Sequence, residues 1–515
     1  MSLSVRDKRC VIFISLCMSA YKIPIIYHII NLNNFCIHID FGIYPRIARV
    51  CPNLVEISGD NINIKGLRAL GTLNGSSLLS ITFNFIKGNE SFEDSDAAID
   101  MLCKGHPNLK KLCLLHPRTH ITEAAAQSVV QHCPHIEALC LRDLDDFLDP
   151  SLIYLAQLQS LREVDLSDAC QLTSAGVQGL LKANRKLEVL ILSEVNETSE
   201  ELNVTFNDAA LLRCIGVNCP NLIKLHIRID TTYSDVTSST DATAASFEAM
   251  IKGLPALEEF RVANYNKPNT ILPMLGLYCP RLKHVFIDKV ACTDKDFDRL
   301  CQGCPLLESL HLRDLPHITD PSMLSLSTHC PMLKQLHISY LGDITDDSLC
   351  VLFKNCIHLT SVKLDSLENI TNKPILILLK CCPQLRVLSL HNSCYQLTDY
   401  CILSIPTHCP HIQTLELSYI STLTRETIIQ IARYCKQLQS LKLYTNKISN
   451  STVITILKNC KNLTYIDIYS NNINITDEFK TQCNMLIKGR HDIYVSREYK
   501  KFILKYSRGC VHNWL

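Results

Sequence analysis

The chain lacks an excess of charge: 51 Lys and Arg against 50 Asp and Glu leave a formal net charge of +1. With no net field, neither nucleic acid nor an acidic membrane surface is expected among its partners. Catalytic signatures are missing too. No phosphate-binding glycine loop, His-Glu-x-x-His or Gly-x-Ser-x-Gly occurs, so neither enzyme activity nor a cofactor is expected. His116 and His120 in HPRTH have metal-like spacing, but Pro117 disfavours a helix there. Cys301 and Cys304 in CQGC have no second pair at zinc spacing, so no metal is expected. The apolar opening run CVIFISLCMSA meets Lys22 too soon to cross a bilayer as one helix.

What the chain has is apolar residues and thiols. Of its 515 residues 47% are hydrophobic and 20% charged, which allows a large core in a chain too long for one ordinary single-core domain. Several domains or a repeat array follow. The 27 cysteines are odd in number, which fits free buried thiols in the cytoplasm or nucleus better than a paired secreted scaffold. A basic lead before the apolar opening, with cleavage near Ala20, and acceptor triplets at Asn196 and Asn369 are the features of the alternative, a secreted or surface recognition protein. The triplets are short patterns in an Asn- and Thr-rich sequence and are read as incidental.

The cysteines fall at a period. Cys-Pro-x-Leu-x-x-Leu-x-Leu and its variants start at Cys279, Cys304, Cys330, Cys356, Cys382, Cys409, Cys435 and Cys460, 25 to 27 residues apart. Cys51, Cys133 and Cys219 head the same pattern upstream; His106, Leu158, Asn184 and Leu254 take the cysteine's place, and a degenerate copy lies near Gly75. About sixteen units fill residues 51–482, a leucine-rich repeat by period and motif. In each unit Leu-x-Leu has the alternation of a half-buried strand, as with Leu310, His311 and Leu312. A recurring Thr (173, 319, 345, 371, 398, 424, 476), often followed by Asp, is suited to cap a helix start. Val453, Ile456 and Cys460 share one helical face, as do Leu349, Leu352 and Cys356, so the cysteine lies buried in the last turn. The proline that usually follows ends the helix there.

Parallel strands stand about 4.8 Å apart, whereas helices need roughly 8 to 10 Å. The predicted fold is therefore α/β, a leucine-rich-repeat solenoid or horseshoe with a concave parallel sheet and convex helices. Residues 1–50 would be an N-terminal cap and 483–515 a C-terminal cap with a basic tail, since terminal repeats need covering. Strand residues between the buried leucines face the concave side. There the expected partner-binding side chains are His226, Arg228, Arg261, His284, Phe286, His311, Arg313, His337, Tyr444 and Tyr469, because aromatic and Arg residues most often anchor interfaces. Three longer units, near 84–100, 193–208 and 229–248, carry acidic, Ser/Thr-rich insertions expected to form one rim.

CPLLESLHLRDLPHITD and CPQLRVLSLHNSCYQLTD resemble the cysteine-containing leucine-rich repeats of the F-box/leucine-rich-repeat family over about residues 51–482, most clearly from 279 to 468. The resemblance implies a substrate-recognition subunit of an SCF-type cullin-RING ubiquitin ligase. Its concave face would hold the protein substrate, and its N-terminal segment would hold the cullin-RING adaptor. Residues 1–50 depart from the F-box pattern: they offer only IPIIYHIINL, and the single Trp is Trp514. A degenerate F-box-like segment and a repeat-only scaffold without ligase association both remain open at this point.

Overall fold

A computed structural model describes residues 29–31 and, between 54 and 505, all residues except 60–61, 73–77, 84–85, 88–91, 116–120, 143–145, 168, 170, 194–208, 229–239, 266–270, 392–395, 419, 421–422, 446–447, 471–472, 474–475, 488–491 and 497–500. The chain divides into two compact units, one of residues 1–230, 236–257 and 508–515, the other of residues 231–235 and 258–507. Both are built from one repeating step, a short strand followed by a helix.

The strands of the first unit are β1 (Ile29–Asn31), β2 (Glu56–Gly59), β3 (Ile62–Asn63), β4 (Ser80–Phe83), β5 (Ile86–Lys87), β6 (Lys111–Leu114), β7 (Ala138–Leu141), β8 (Glu163–Asp165), β9 (Val189–Ile191) and β10 (Lys224–Arg228). β3 and β5 form a separate parallel pair, and the others run as a parallel ladder in chain order. The second unit carries β11 (Glu259–Tyr265), β12 (His284–Val290), β13 (Ser309–Arg313), β14 (Gln335–Ser339), β15 (Ser361–Asp365), β16 (Val387–His391), β17 (Thr414–Ser418), β18 (Ser440–Tyr444) and β19 (Tyr465–Tyr469), again parallel and in order. Beyond it, β20 (Asp492–Ser496) and β21 (Lys501–Lys505) form an antiparallel hairpin, and β21 also pairs antiparallel with β19. The edge of the last parallel strand, β19, is thus covered by strand pairing.

The fold is a leucine-rich-repeat solenoid of the α/β class. Its core is made of rows. Leu310, Leu336, Val362, Leu388 and Leu415 stand in register, as do Leu312, Ile338, Leu364, Leu390 and Leu417, all buried against the helices. Each such side chain stabilises its unit by about 1.5–3 kcal/mol relative to exposure.

Helices start at the recurring Thr, which is the N-cap at Thr122, Thr173, Thr293, Thr319, Thr345, Thr371, Thr398 and Thr424. The cap chemistry differs from the expectation at several of them. Thr173, Thr293 and Thr424 accept from their own helices, but Thr319 and Thr345 do not. The Thr319 hydroxyl instead donates to Asp294 Oδ2 at 2.6 Å, and its N–H donates to Oδ1 at 2.9 Å. Asp320 takes the same two bonds from Thr345, and Asp346 from Thr371. The Asp after each Thr is therefore a tie to the next repeat. Burial pushes the Asp294 carboxyl up, but donation from Ser322 and Thr319 outweighs it and holds the group below its ordinary value.

Helices end at the column cysteine, the C-cap at Cys133, Cys304, Cys330, Cys356, Cys382, Cys409, Cys435 and Cys460. Each of these is buried, and the thiol is more than filler. Cys304 Sγ lies 3.6 Å from the Cys279 carbonyl, Cys330 Sγ 3.7 Å from that of Cys304, and Cys356 Sγ 3.6 Å from that of Cys330. A weak S–H donor thus adds a second bond to the C-cap carbonyl of the preceding helix, which already accepts the N–H of Leu282, Leu307 or Leu333. Where His106 replaces cysteine, its Nε2 lies 3.0 Å from the Leu70 carbonyl and must be the protonated nitrogen, since a carbonyl only accepts. Asn184 donates to Leu180 O at 3.1 Å. Burial pushes Cys279, Cys356 and Cys435 up to about 12, so these thiols stay protonated at neutral pH.

Adjacent helices come close enough in places to need glycine. A Cβ on Gly303 would stand 1.9 Å from the Gly276 carbonyl oxygen. The insertion near 84–100 corrects one expectation: residues 92–105 are a helix, with Ser95, Ala98 and Ile99 buried, so that stretch is wall and not rim. Residues 194–208, 229–239 and the HPRTH motif lie outside the described residues. No helix among the described residues is long and apolar enough to cross a membrane.

Candidate functional site

Strand residues between the core rows point away from the helices and form an open face. In the second unit the middle row of this face reads Arg261, Phe286, His311, His337, Lys363, Ser389, Glu416, Lys442, Asp467, one residue per strand in register. Arg261, Phe286, His311 and His337 thus follow one another as the sequence predicts. Their planes are packed together. The Arg261 guanidinium carbon lies 5.9 Å from the Phe286 ring centre. Phe286 meets His311 edge to face at 4.1 Å, and His311 stacks on His337 at 3.8 Å with 22° between planes. Such contacts each add about 0.5–1.5 kcal/mol beyond burial.

The flanking row adds charge. Arg313 lies 3.8 Å from Asp288 and 6.0 Å from the Tyr340 ring centre. His284 is in register with Glu259 and Ser309 at the start of the strands. Burial, together with the charges of His337, Lys363, Arg261 and Arg313, holds the His311 imidazole well below its ordinary value, so the ring is neutral at physiological pH. The His337 ring nitrogen Nε2 is 2.9 Å from the Ser339 hydroxyl. A parallel stack of two rings is ring packing, and among the described residues no group of three or more His, Cys, Asp or Glu is placed to hold a metal.

One feature was not legible in composition. Asn264, Lys289, Asp314, Tyr340 and Ser366, one residue past the flanking row in five successive units, have left-handed backbone, with φ from 50° to 60°. Asn and Asp tolerate this region; a bulky Tyr does not do so readily. The bend sits beside the ring stack, and strained backbone gathers at functional surfaces. The amides of Asp314, Tyr340 and Ser366 still donate to Ser339, Asp365 and His391, so the ladder runs one residue further here.

Tyr444 and Tyr469 lie on the later strands. Their rings are 6.3 Å apart at 21°, and His391 stands edge-on to Tyr444 at 6.1 Å. The hydroxyls of Tyr444 and Tyr465 both donate to the buried Asp467 at 3.3 Å. Glu416 is 3.4 Å from Lys442 and 3.8 Å from His391. These residues form a second cluster, separated from the first by Ser389. His226 and Arg228 belong to the first unit, on β10, where His226 is buried in register with Ile191. The structure therefore gathers Arg261, His284, Phe286, His311, Arg313 and His337 in one place and Tyr444 and Tyr469 in another.

No protein-family profile matches the chain, and no curated protein does. Among solved structures, a chain of the Rad7 and Elc1 complex in yeast is 16% identical with a TM-score of 0.46, over 74% of this chain and 80% of that one. A chain of the TLR13–ssRNA13 complex is 15% identical with a TM-score of 0.42, over 84% of this chain and 58% of that one.

Proposed function

We propose that the chain is a protein-interaction receptor whose open face at β11–β15 docks a segment of a protein substrate, and that it serves as the substrate-recognition subunit of an SCF-type cullin-RING ubiquitin ligase. The observation that carries the docking site is the unbroken packing of Arg261, Phe286, His311 and His337 on the side of the sheet that the core does not use. Arg, aromatic and imidazole planes held rigid by one another lose little freedom on contact, which favours them as anchors. Support for the ligase role is the likeness of the cysteine-containing repeats to the F-box/leucine-rich-repeat family. In this proposal residues 1–50 include the adaptor-binding segment, residues 483–515 close the array, and the protein works in the cytoplasm or nucleus by binding and not by catalysis.

The test is affinity purification of the full chain from its own cells, beside a form lacking residues 1–28, which keeps β1, and beside Arg261→Ala/His337→Ala. Cullin and adaptor retained by the full chain and lost with residues 1–28 support the ligase role. Their absence from all three leaves a repeat-only scaffold. Substrate candidates lost only from the double variant mark the face as the docking site; an unchanged set removes it.

A further inference from the structure

The column cysteines are accounted for by the carbonyls they meet. Cys113 and Cys140 are different. They hold the middle of Leu-Cys-Leu in β6 and β7, the position that carries His311 or Lys363 in the second unit, and they stand in register on adjacent parallel strands. Both stand between the core rows of the first unit, buried but on the side of the strands away from the Leu rows, with their Sγ atoms 2.7 Å apart. Parallel neighbours are about 4.8 Å apart, inside the Cα separation of roughly 4.4–6.8 Å that a disulfide accepts. Cys140 Sγ is also 3.7 Å from Glu163 Oε1, and Lys111, 3.6 Å from the same carboxylate, interacts electrostatically with both thiols.

We propose that Cys113 and Cys140 are a redox-active pair that forms a reversible disulfide by exchange with a low-molecular-weight disulfide. Lys111 stands beside both sulfurs, and the bond with Cys113, together with burial, pushes the Cys140 thiol up, so Cys140 is the second of the two to react. The Cys113 thiolate attacks one sulfur of the small disulfide, breaks its S–S bond and releases one small thiol, which takes up a proton. Cys140 then gives up its proton and attacks the Cys113 sulfur, expelling the second small thiol. The protein loses two hydrogens and two electrons, and the small disulfide gains them. In-register side chains on parallel strands are set wider than the Cβ separation of about 3.8 Å that a relaxed disulfide prefers, so the bond is reducible.

The molecule contains its own controls. Cys103 with Cys133, and Cys301 with Cys330, are also neighbouring thiols, but these four lie in the core among the helices, whereas Cys113 and Cys140, though only 3% and 5% exposed, lie on strands between the core rows. Exposure of the reduced full chain to oxidised glutathione, followed by alkylation and peptide mapping, is the experiment. The expected result is a linked peptide pair holding Cys113 and Cys140, lighter than its reduced parts by about 2 Da and restored by dithiothreitol. The four core thiols should remain alkylatable only after unfolding. Cys113→Ser or Cys140→Ser should abolish the link and Cys301→Ser should keep it; the wild-type map decides alone if a variant fails to fold. The proposal is overturned if both thiols stay reduced in folded protein under conditions that oxidise a free dithiol peptide. It is equally overturned by a stable glutathione adduct on Cys113, or by elemental analysis showing a stoichiometric metal at the pair.

Discussion

Within the second unit, strands β11–β15 and strands β16–β19 share one frame and carry different faces. Beneath both run the same two rows of Leu, Ile and Val, at the same register. On the open side, β11–β15 gather Arg261, Phe286, His311, His337 and Lys363, with a left-handed residue within one position of the end of every strand. On β16–β19 charges of opposite sign meet one another, Glu416 with Lys442, and tyrosine hydroxyls end on Asp467. Both halves pair their charges, Arg261 with Glu259 at 3.0 Å and Arg313 near Asp288 in the first, but only the first stacks its Arg and His planes on one another. The frame therefore leaves the face free to vary, from a stack of Arg, Phe and His planes in the first half to a tyrosine and carboxylate cluster in the second.

The largest expected effect tests the frame shared by both halves. Gly303→Ala places a Cβ where the Gly276 carbonyl already is, and should cost about 3 kcal/mol. A single lower melting transition is expected; hydrogen exchange that loosens β11–β13 and spares β16–β19 would show that the halves fold separately. Next in size, Arg261→Ala/His337→Ala should weaken substrate retention at least about tenfold, or about 1.4 kcal/mol. The matching Tyr469→Ala, in the other half, should change retention by less than about twofold. Equal losses from both would erase the distinction between the halves.

A smaller effect is set by pH. His311 is neutral in the folded chain and titrates near about 6.5 when unfolded. Below that value the unfolded chain binds more protons, so stability falls as pH drops from about 6.5 towards the folded-state value. His311→Phe keeps a ring and removes the proton, and its melting temperature should fall less than that of wild type between about pH 7.5 and about pH 5.5. An identical fall would show that the His311 environment is not what sets it. The smallest effect concerns Tyr340. Tyr340→Gly relieves a left-handed tyrosine but adds chain entropy to the unfolded state, so stability should shift by less than about 1 kcal/mol. Substrate retention should fall nonetheless, since the ring beside Arg313 is lost.

Spacing alone revealed much of this. Because the period of 25 to 27 residues fixes strand, corner and helix together, the register of Arg261, Phe286, His311 and His337 could be read off the Leu-x-Leu positions, as could the end of each helix at cysteine. Readings that needed a second repeat went further astray. Whether a Thr donates to an Asp of the preceding unit depends on that neighbour: Thr173 and Thr371 cap their own helices and also make this tie, Thr319 makes the tie alone, and Thr293 donates within its own helix to Asp296. The bend at Tyr340 lies in a backbone angle that residue type does not announce. Cys113 and Cys140 were hidden by the column itself, because a cysteine count assigns every thiol to one role until the strand positions are separated from the helix ends.

The ties between repeats have a direction, and it makes the array divisible. Every carboxylate of the Asp294, Asp320 and Asp346 series receives the Thr of the following unit, and the Cys304, Cys330 and Cys356 thiols each reach back to a carbonyl of the one before. A chain linked this way has the same joint at each seam. Excising residues 320–345 would join Thr319 to Asp346 and present each half-joint with an equivalent mate, so that units can be counted in or out of the array while the surface they display is re-spaced by one strand.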